Sequence, residues 1–597
     1  MKPVVIVGGG LSGLAAGVTL STGNTPLLLF EQKPFLGGRA YSFRDRETGE
    51  VIDNGPHLLI VGNTRTLELL RTIGTVDRLF IPRRPELLLH HPVKGFQTLR
   101  LPRLAAPFHF LVGALRSPLF SGADLRALLR AGAALRSGVK TEVAGMSVRD
   151  WLAAQRQPEE IIRSFWEPLA FSIMNERPEA ASALLFLRSM RTAFFGGWRN
   201  AAMAIPTVGL SELFADPASD YIRRHGGDVR SRADVVSLVG DENGVTGVRT
   251  RDGALHQCGA VILAVPPARA EALLRDALCG RTQFLHSSAY AHSPIVSLHL
   301  WFESDFVPQL MVGLIGRRIQ WVCNRRRIVL TGKGGHLSAT ISAAHAYASL
   351  SNEELVRIAC DDLGAVYGSA AEHLIRGVVI RERHATVSLT PDIEPLRPGP
   401  ELPIRNVFLA GDWTATGYPA TIEGAVTSGE RAAILALRSL ARDAAGGISG
   451  AVAFQNPNRD ITHMKKKTTS GRKMPREKIV LLVDDEPAIL NATRAGLLDR
   501  GFNVQAVEGA EAAIKAVHDM RPCIIVSDLV MPGTNGFELF QELKKEKEFT
   551  SIPFVFLTAV DDYYAKKFGK EIGGAAYVTK PVDLDELEKI LRDKIGE

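Results

Sequence analysis

The stretch PVVIVGGGLSGLAAGVTL, residues 3–20, constrains the fold of this chain more than any other feature. It places Gly8, Gly10 and Gly13 between a short apolar run and a run of small residues. The first glycine permits a tight turn, the second lets the backbone approach a pyrophosphate, and the third lets a helix pack against the strand. The pattern predicts the strand, turn and helix that open a nucleotide-binding α/β domain.

A second apolar run, PLLLFE, ends in Glu31, at the distance from the glycines where a ribose-binding acid is expected. Such a carboxylate accepts hydrogen bonds from both hydroxyls of an adenosine ribose. The next segment, EQKPFLGGRAYS, adds Gly38 and Arg39. We expect this second glycine turn to follow the phosphates and the ribityl chain of a flavin nucleotide, so the sequence favours FAD over NAD.

A segment far downstream, RNVFLAGDWTATGYPATIEGAV, completes the predicted flavin site. A strand ends there in Gly411 and Asp412, and a helix begins close to Thr421 and Ile422. Asp412 is expected to hold hydroxyls of the ribityl chain or oxygens near the pyrophosphate. The helix N-terminus directs free N–H groups and a positive dipole at the N1–C2 carbonyl edge of the flavin, which favours the anionic reduced form.

The length and charge distribution predict more than one module. A chain of 597 residues is too long for a single hydrophobic core. The net charge of +7 is uneven, because residues 479–597 hold 14 basic and 21 acidic residues, whereas residues 464–478 hold seven basic and one acidic. We therefore expect an oxidoreductase domain over 1–445, a basic flexible linker over 446–478 and a separate domain over 479–597.

Cysteine usage and hydropathy bear on localisation. The five cysteines have no metal-ligand spacing, which favours a reducing, cytoplasmic compartment. No run of 18 uncharged apolar residues occurs, so no membrane-spanning segment is expected. The basic run before residue 479 has no interleaved aromatic residues, which favours a solvated linker over a nucleic-acid-binding arm.

The first 445 residues resemble the superfamily of FAD-dependent amine oxidases and phytoene desaturases. Within it they are most similar to the squalene-associated branch, the hydroxysqualene dehydroxylases. One departure is Pro56, where that branch is expected to carry glutamine. The likeness covers the flavin motifs and the blocks DNGPHLL (53–59), FWEPLAFSIMN (165–175), IPTVGLSELF (205–214), SPIVSLHLWF (293–302), GRRIQWVCNR (316–325) and TGYPATIEGAV (416–426).

This resemblance implies a Rossmann-type FAD-binding domain with an inserted substrate domain, roughly 90–230 and 270–390. It also implies that the backbone near Val235 holds the adenine. The implied reaction converts hydroxysqualene to squalene for hopanoid synthesis: the allylic hydroxyl leaves as water, and the remaining cation takes a hydride from reduced flavin. The proton donor is left open among His57, Glu423 and Glu167, each of which could equally be structural.

The substrate implied by this resemblance is a C30 isoprenoid that resides in the bilayer. Residues 101–120, LPRLAAPFHFLVGALRSPLF, are apolar but interrupted by prolines, arginines and a histidine. Such a segment is too broken to span a membrane and suits a peripheral position at its interface, with arginines toward the headgroups. We expect a cytoplasmic protein that contacts the inner face of the cell membrane, although the same residues would also suit the entrance of an apolar cavity.

The last 119 residues alternate strands and helices, and their polar residues stand at strand ends. Asp484 and Asp485 follow the first strand, Asp528 the third, Thr558 the fourth and Lys580 the fifth. Strand C-termini of a parallel sheet converge on one crevice, so the three carboxylates are expected to meet and to bind Mg²⁺. The pattern predicts a flavodoxin-like (βα)5 domain.

These five positions resemble the receiver domain of response regulators. The resemblance makes Asp528 the phosphoacceptor and assigns the metal to the two aspartates of the first strand. It makes Thr558 the switch hydroxyl, Lys580 the phosphate-binding lysine and Tyr577 the aromatic residue that turns inward on phosphorylation. It implies a sensor histidine kinase as the phosphodonor.

Two alternatives to a dehydroxylase with an appended receiver stay open on the sequence. One is a carotenoid- or phytoene-type desaturase that uses oxidised flavin. The other is a signalling protein in which the flavin half is a redox-sensing output domain. The sequence does not determine the direction of hydride transfer.

Overall fold

The computed structural model describes residues 2–136, 143–241, 244–277, 285–329, 332–445, 479–485, 487–528, 531, 536–546, 548–550, 552–558, 575–579, 582 and 584–595. The chain forms two compact units, Met1–Val452 and Ala453–Glu597. The predicted linker, 446–478, lies outside the described residues.

The strands of the first unit are, in chain order, β1 (Val4–Val7), β2 (Leu27–Glu31), β3 (Ser42–Arg44), β4 (Val51–Asp53), β5 (Leu59–Ile60), β6 (Leu79–Phe80), β7 (Glu86–His91), β8 (Gly95–Arg100), β9 (Met203–Pro206), β10 (Asp228–Ser231), β11 (Val235–Asp241), β12 (Gly244–Thr250), β13 (Leu255–Gln257), β14 (Ala260–Leu263), β15 (His292–Phe302), β16 (Met311–Leu314), β17 (Trp321–Asn324), β18 (Gly335–Ile341), β19 (Leu374–Val387) and β20 (Val407–Leu409).

Its α-helices are α1 (Leu11–Thr22), α2 (Thr64–Thr72), α3 (Phe108–Arg116), α4 (Gly122–Arg136), α5 (Val148–Ala154), α6 (Glu159–Ile161), α7 (Glu167–Met174), α8 (Ala183–Phe195), α9 (Asp216–Arg224), α10 (Pro267–Ala277), α11 (Arg325–Val329), α12 (Asn352–Tyr367) and α13 (Ile422–Ala445). π-Helical turns at Ile162–Trp166 and Ser211–Ala215 lead directly into α7 and α9. Short 3-10 helices span Val76–Arg78, Ser287–Ala289, Gly368–Glu372 and Glu394–Leu396.

A parallel sheet in the order β10-β2-β1-β14-β20 forms the predicted nucleotide-binding domain. Every residue of β1 is apolar and buried, as expected for a central strand that is covered on both faces. Helices α1 and α13 cover one face and cross closely, because Gly429 has no side chain: a Cβ there would lie 2.0 Å from the carbonyl oxygen of Ser12.

A seven-stranded mixed sheet, β19-β15-β18-β17-β16-β7-β8, forms the second layer of this unit. Successive side chains of β15 alternate between its faces. Val296, Leu298 and Leu300 pack in one hydrophobic core with Leu355 and Leu363 of α12. The opposite face carries Ser297 and is turned toward a large cavity.

The second unit is a five-stranded parallel sheet in the order β22-β21-β23-β24-β25. Separate hydrophobic clusters form its two layers. The predicted helix between β24 and β25 falls at 559–574, outside the described residues. The strands and helices are β21 (Ile479–Asp484), α14 (Pro487–Asp499), β22 (Asn503–Glu508), α15 (Gly509–Met520), β23 (Ile524–Asp528), α16 (Gly536–Lys545), β24 (Phe554–Thr558), β25 (Ala575–Thr579) and α17 (Leu584–Ile595).

The predicted fold class is thereby confirmed for both units. The first is an α/β nucleotide-binding domain to which a large second sheet is added, and the second has the strand order of flavodoxin-like folds. Across the described ranges, no helix is long and apolar enough to cross a membrane.

Candidate active site

The two glycine turns predicted from the sequence lie against each other. Gly8 has a φ of +108°, and a Cβ there would lie 2.3 Å from the carbonyl oxygen of Ala264. A Cβ on Gly13 would lie 1.9 Å from the carbonyl oxygen of Gly8. Gly10 and Gly38 face each other, since a Cβ on Gly38 would lie 3.0 Å from the Cα of Gly10. This close backbone cradle fits a pyrophosphate, which is recognised by backbone N–H groups.

Glu31 ends β2 beside this cradle and lines the cavity. One carboxylate oxygen accepts a hydrogen bond from the backbone N–H of Gly9 at 2.7 Å, and the other from that of Lys33 at 2.8 Å. These bonds fix the carboxylate while leaving lone pairs on both oxygens for further donors. The arrangement fits the two hydroxyls of a ribose.

Val235, predicted at the adenine, also lines the cavity. Its carbonyl oxygen accepts a hydrogen bond from Arg269 Nη2 at 2.6 Å. The same guanidinium nitrogen lies 2.9 Å from Asp234 Oδ1. The hydrogen bond from Arg269 thus fixes the backbone of Val235 at the edge of the cavity.

Arg39 and Asp412 form an ion pair that the sequence did not predict. Arg39 Nη2 lies 2.7 Å from both carboxylate oxygens of Asp412, and Nη1 donates to the carbonyl oxygen of Ala385 at 2.5 Å. The carboxylate raises the pKa of the Arg39 guanidinium. The two side chains were predicted to bind the cofactor separately, but the structure makes them one unit that joins the second glycine turn to the turn after β20.

The turn after β20 is held by a residue that the sequence analysis missed. The Arg397 guanidinium is fully buried and donates to the carbonyl oxygens of Asp412, Trp413 and Tyr418, at 3.0, 3.3 and 2.9 Å. It also forms an ion pair with Glu394 at 2.9 Å. An arginine within the proline-rich segment IEPLRPGP was the available signal, but nothing local indicates what it contacts.

The helix α13 begins at Ile422, as predicted, and both Thr421 and Ile422 line the cavity. Glu423 has a different role from proton donation. Its carboxylate accepts hydrogen bonds from the backbone N–H groups of Arg65 and Thr66, at 3.0 and 2.9 Å, and from Thr66 Oγ1 at 2.6 Å. It therefore caps the N-terminus of α2, with both carboxylate oxygens engaged as hydrogen-bond acceptors. These contacts favour a structural role for Glu423 over proton donation.

His57 lines the cavity and is partly open to it. Burial lowers the pKa of the His57 imidazole. The nearby Asp53 carboxylate opposes this shift, and the Arg39 guanidinium adds to it. Asp53 fixes the segment that carries His57, because its Oδ1 accepts hydrogen bonds from Ser42 Oγ and from the Leu210 N–H, at 2.7 and 2.9 Å. The third candidate, Glu167, lies in α7, and burial raises its pKa, but it is not among the described residues that line the cavity.

The cavity has a volume of about 690 Å³ and is continuous from the glycine turns to an apolar end. Titratable side chains that the sequence analysis missed also line it, namely Glu382, His292 and His384. The two histidine rings have centroids 4.6 Å apart. The apolar end is lined by Leu87, Leu99, Leu101, Phe165, Leu169, Phe171, Ile173, Met190, Phe194, Met203, Ile295 and Met311.

The second unit brings together three carboxylates that the sequence singled out. Oxygen atoms of Asp484, Asp485 and Asp528 all lie within 4.8 Å of one another at the C-terminal ends of β21 and β23. This set of hard oxygen ligands fits a divalent cation such as Mg²⁺. Thr558 is the last residue of β24, as predicted, whereas Lys580 lies outside the described residues.

Comparison with known protein families assigns both units. The family described as flavin containing amine oxidoreductase matches residues 11–437. The chain belongs to this family. The response regulator receiver domain matches residues 480–592. The first unit is therefore an FAD-dependent oxidoreductase and the second a receiver domain, as predicted.

Among curated relatives, a hydroxysqualene dehydroxylase of Sinorhizobium fredii is 32% identical over 448 residues, which cover 73% of this chain and 98% of the relative. One of Rhodopseudomonas palustris is 32% identical over 443 residues, with coverages of 73% and 98%. A 15-cis-phytoene desaturase of Synechococcus elongatus is 23% identical over 454 residues, covering 72% and 94%.

Solved structures agree with the fold of the flavoenzyme unit. An oxidoreductase from Methanosarcina mazei matches with a TM-score of 0.57 at 18% identity, covering 72% of this chain and 99% of that one. A putrescine oxidase bound to putrescine matches with a TM-score of 0.55 at 18% identity, covering 73% and 99%. Identities this low support the shared fold and nothing about substrates.

Proposed function

We propose that the flavoenzyme unit removes the hydroxyl group of hydroxysqualene reductively and releases squalene for hopanoid synthesis. The observation that carries this proposal is a cavity in which the glycine cradle and a lining of aliphatic and aromatic side chains are continuous. The relatives named hydroxysqualene dehydroxylase, at 32% identity over nearly their whole length, supply the substrate class.

The chain's own residues would hold FAD at the polar end of this cavity. When bound, FAD supplies the hydride chemistry. The proposed contacts divide between the pyrophosphate cradle, the ribose acid, the adenine segment, the Arg39–Asp412 pair and the N-terminus of α13; they are Gly8, Gly10, Gly13, Glu31, Gly38, Arg39, Val235, Gly411, Asp412, Thr421 and Ile422.

The apolar end would exclude water from the reacting carbon. Loss of an allylic hydroxyl leaves a delocalised carbocation, which any nearby water would trap. Phe165, Phe171 and Phe194 are among the residues that enclose this space. The walls thus favour completion of the reduction over return to the alcohol.

The leaving hydroxyl needs a proton, and His57 is the proposed donor. Burial lowers the pKa of its imidazole, which makes the imidazolium a stronger acid and favours transfer of its proton to the leaving hydroxyl. His57→Ala is expected to slow turnover by about 10²-fold if this role holds. Single-turnover rates measured between pH 5 and 8 test it, and near-normal turnover would remove His57 from the mechanism.

The deciding experiment is anaerobic incubation of the photoreduced holoenzyme with hydroxysqualene, followed by lipid analysis. We expect squalene to appear as the flavin reoxidises, in equal amounts. A desaturase is the second candidate, which the relationship to phytoene desaturase favours. New double bonds in squalene or phytoene, formed by the oxidised enzyme, would replace the dehydroxylase proposal with that one.

We also propose that the receiver unit accepts a phosphoryl group from a sensor histidine kinase. Asp484, Asp485 and Asp528 would bind Mg²⁺, Asp528 would be the phosphoacceptor, and Thr558 and Lys580 would contact the phosphoryl group. Acetyl phosphate with Mg²⁺ is expected to phosphorylate the wild-type chain but not Asp528→Asn. Incorporation of phosphate into the Asp528→Asn variant would contradict the assignment of Asp528 as the phosphoacceptor.

Finally, we propose that the flavoenzyme unit docks on the cytoplasmic face of a lipid bilayer through α3. Leu104, Phe108 and Leu115 are exposed along this segment, and Arg103 and Arg116 flank them. The segment continues directly from Leu101, which lines the apolar end of the cavity. An apolar stripe bordered by arginines suits a bilayer surface, where the guanidinium groups reach the headgroups.

A further inference from the structure

Three buried polar side chains that line the cavity have no hydrogen-bond partner within the described part of the chain. They are Ser297 in β15, Thr340 in β18 and Trp321 in β17. Their exposed fractions are 1%, 8% and 7%, and all three line the cavity. We call these three residues the polar row.

The sheet register places the members of the polar row side by side. Thr340 is paired directly with Ser297 across the β15–β18 ladder and with Trp321 across the β17–β18 ladder. Side chains paired in this way stand on the same face, with Cβ atoms about 5 Å apart. The row therefore crosses three adjacent strands on the side of the sheet that faces the cavity.

Unpartnered polar groups in such surroundings are uncommon, because a buried donor or acceptor without a partner destabilises the folded state. The outer cross-strand partners of the row carry no polar side chain, since Gly313 pairs with Trp321. Ile380 pairs with Ser297, and Cys323 lies two residues beyond Trp321 in β17. Burial raises the pKa of the Cys323 thiol to about 12, so it is uncharged at neutral pH. A polar atom of a ligand would supply the partners that the protein does not.

The chemistry of the row selects the kind of ligand atom. An indole N–H only donates, whereas the hydroxyls of Ser297 and Thr340 both donate and accept. None of the three carries a charge, so the row offers no counter-ion for an amine, a carboxylate or a phosphate. A neutral hydroxyl group of a ligand matches the polar row, because it can accept a hydrogen bond from one side chain and donate one to another.

We propose that the polar row binds the hydroxyl group of the isoprenoid substrate and so selects an alcohol over the corresponding hydrocarbon. This assignment rests on the proposed function. The row reaches the segment that carries the proposed proton donor, since a Cβ on Gly55 would lie 2.9 Å from Ser297 Oγ. Gly55 and His57 both line the same cavity. A hydroxyl on the row is therefore held against the segment that would protonate it.

The test compares binding of hydroxysqualene and squalene to the holoenzyme with oxidised FAD, which prevents reductive turnover. Flavin absorbance changes on titration report both dissociation constants. We expect Thr340→Val, which keeps the shape but removes the hydroxyl, to weaken alcohol binding about tenfold relative to squalene. Ser297→Ala is expected to act in the same direction.

Ser338→Ala is the matched control. Ser338 lies in the same strand, is 1% exposed and also lacks a hydrogen-bond partner among described residues, but it does not line the cavity. Its substitution is expected to leave the ratio of the two dissociation constants unchanged. An unchanged ratio in Thr340→Val, or an equal change in Ser338→Ala, would overturn the proposal.

A stability measurement shows whether each variant is folded. Because Thr340→Val removes an unpartnered buried hydroxyl, its melting temperature is expected to equal or exceed that of the wild type. A clear drop would show that the hydroxyl already has a partner in the protein and would contradict the assignment. The same experiments distinguish failure of this proposal from failure of the proposed function. If the wild type binds the alcohol more tightly than squalene but never forms squalene, the role of the polar row is supported and the dehydroxylase activity is contradicted.

Discussion

At the scale of single residues, Arg397 stabilises the turn after β20, which is proposed to lie beside the flavin. Its guanidinium makes hydrogen bonds to three carbonyl oxygens of one turn, and its side chain is fully buried. Each of these carbonyls would lose its partner if the planar group were shortened or reshaped. The geometry of Asp412, which belongs to the same turn, therefore rests on Arg397.

Replacing Arg397 with lysine should show this dependence. An ammonium group keeps the charge but cannot reach three separated carbonyls in one plane. We expect the free energy of FAD binding to weaken by about 1–3 kcal/mol, the cost of leaving buried acceptors unpaired. FAD release measured by fluorescence is the readout, with the exposed Arg126→Lys as the control. Unchanged FAD affinity in Arg397→Lys would show that the turn is held by other contacts.

Glu430 in α13 predicts a pH dependence of stability. Burial raises its pKa to about 7, although Arg65 Nε lies 3.8 Å away and opposes the shift. A carboxyl group with a raised folded-state pKa contributes stability that is fully present below about pH 4.5, its unfolded pKa, and is lost as the pH rises through about 7. Removing the ionisable group should therefore stabilise the protein increasingly as the pH rises from about 4.5 to about 7, and by the full amount above about 7.

We accordingly expect Glu430→Gln to exceed the wild type in stability by about 1–3 kcal/mol at pH 8, with the difference vanishing near pH 4.5. Thermal release of FAD, followed between pH 4.5 and 8.5, measures it. Glu353→Gln, on an exposed position of α12, is the control. A difference that is the same at all pH values would mean that ionisation of Glu430 is not its cause.

At the scale of elements, α3 presents two unlike faces. His109, Gly113 and Ala114 are buried against the rest of the unit, whereas Phe108 and Leu115 stay exposed. Large apolar residues exposed on one face of a helix indicate an interaction surface. The flanking arginines favour an anionic bilayer as the binding partner. The membrane contact proposed for the flavoenzyme unit would be made through this helix.

The combined substitution of Leu104, Phe108 and Leu115 by serine should abolish sedimentation with phosphatidylglycerol-containing vesicles. Turnover of substrate dispersed in detergent should change little, because none of the three lines the cavity within the described residues. The control replaces three other exposed apolar residues by serine, Leu255, Ile375 and Ile434. Equal loss of vesicle binding in both variants would show that the contact is not specific to α3.

At the scale of the whole molecule, the residues that the structure describes form separate cores in the two units. The hydrophobic clusters of residues 4–440 and those of residues 480–591 share no member. Each unit therefore has a hydrophobic core of its own, which is the condition for folding independently. The family matches, 11–437 and 480–592, follow the same division.

We expect the two units to function as separate polypeptides. Residues 1–452 alone should retain FAD, and residues 453–597 alone should be phosphorylated by acetyl phosphate at the rate of the full chain. Flavin absorbance of the first piece and phosphate incorporation into the second are the measurements. Insolubility of either piece, recovered on co-expression with the other, would show that the units stabilise each other.

The sequence by itself determined the features that depend on neighbouring residues. The glycine spacing at 8, 10 and 13 specifies a turn because the conformations involved belong to a few consecutive residues. The acidic ends of β21 and β23 were predictable for a related reason: in a parallel sheet all strand C-termini lie at one edge, so the place of each strand end suffices. Fold class and cofactor class both follow from patterns of this kind.

Only the tertiary structure decided how distant segments are combined. Arg39 and Asp412 are 373 residues apart, and Glu423 caps a helix 357 residues earlier in the chain. The polar row exists because the register of β15, β17 and β18 aligns three residues that no local pattern connects. Each of these contacts requires the ordering of strands and the packing of helices over the entire unit, and that information resides in the sum of many weak interactions rather than in any short stretch of sequence.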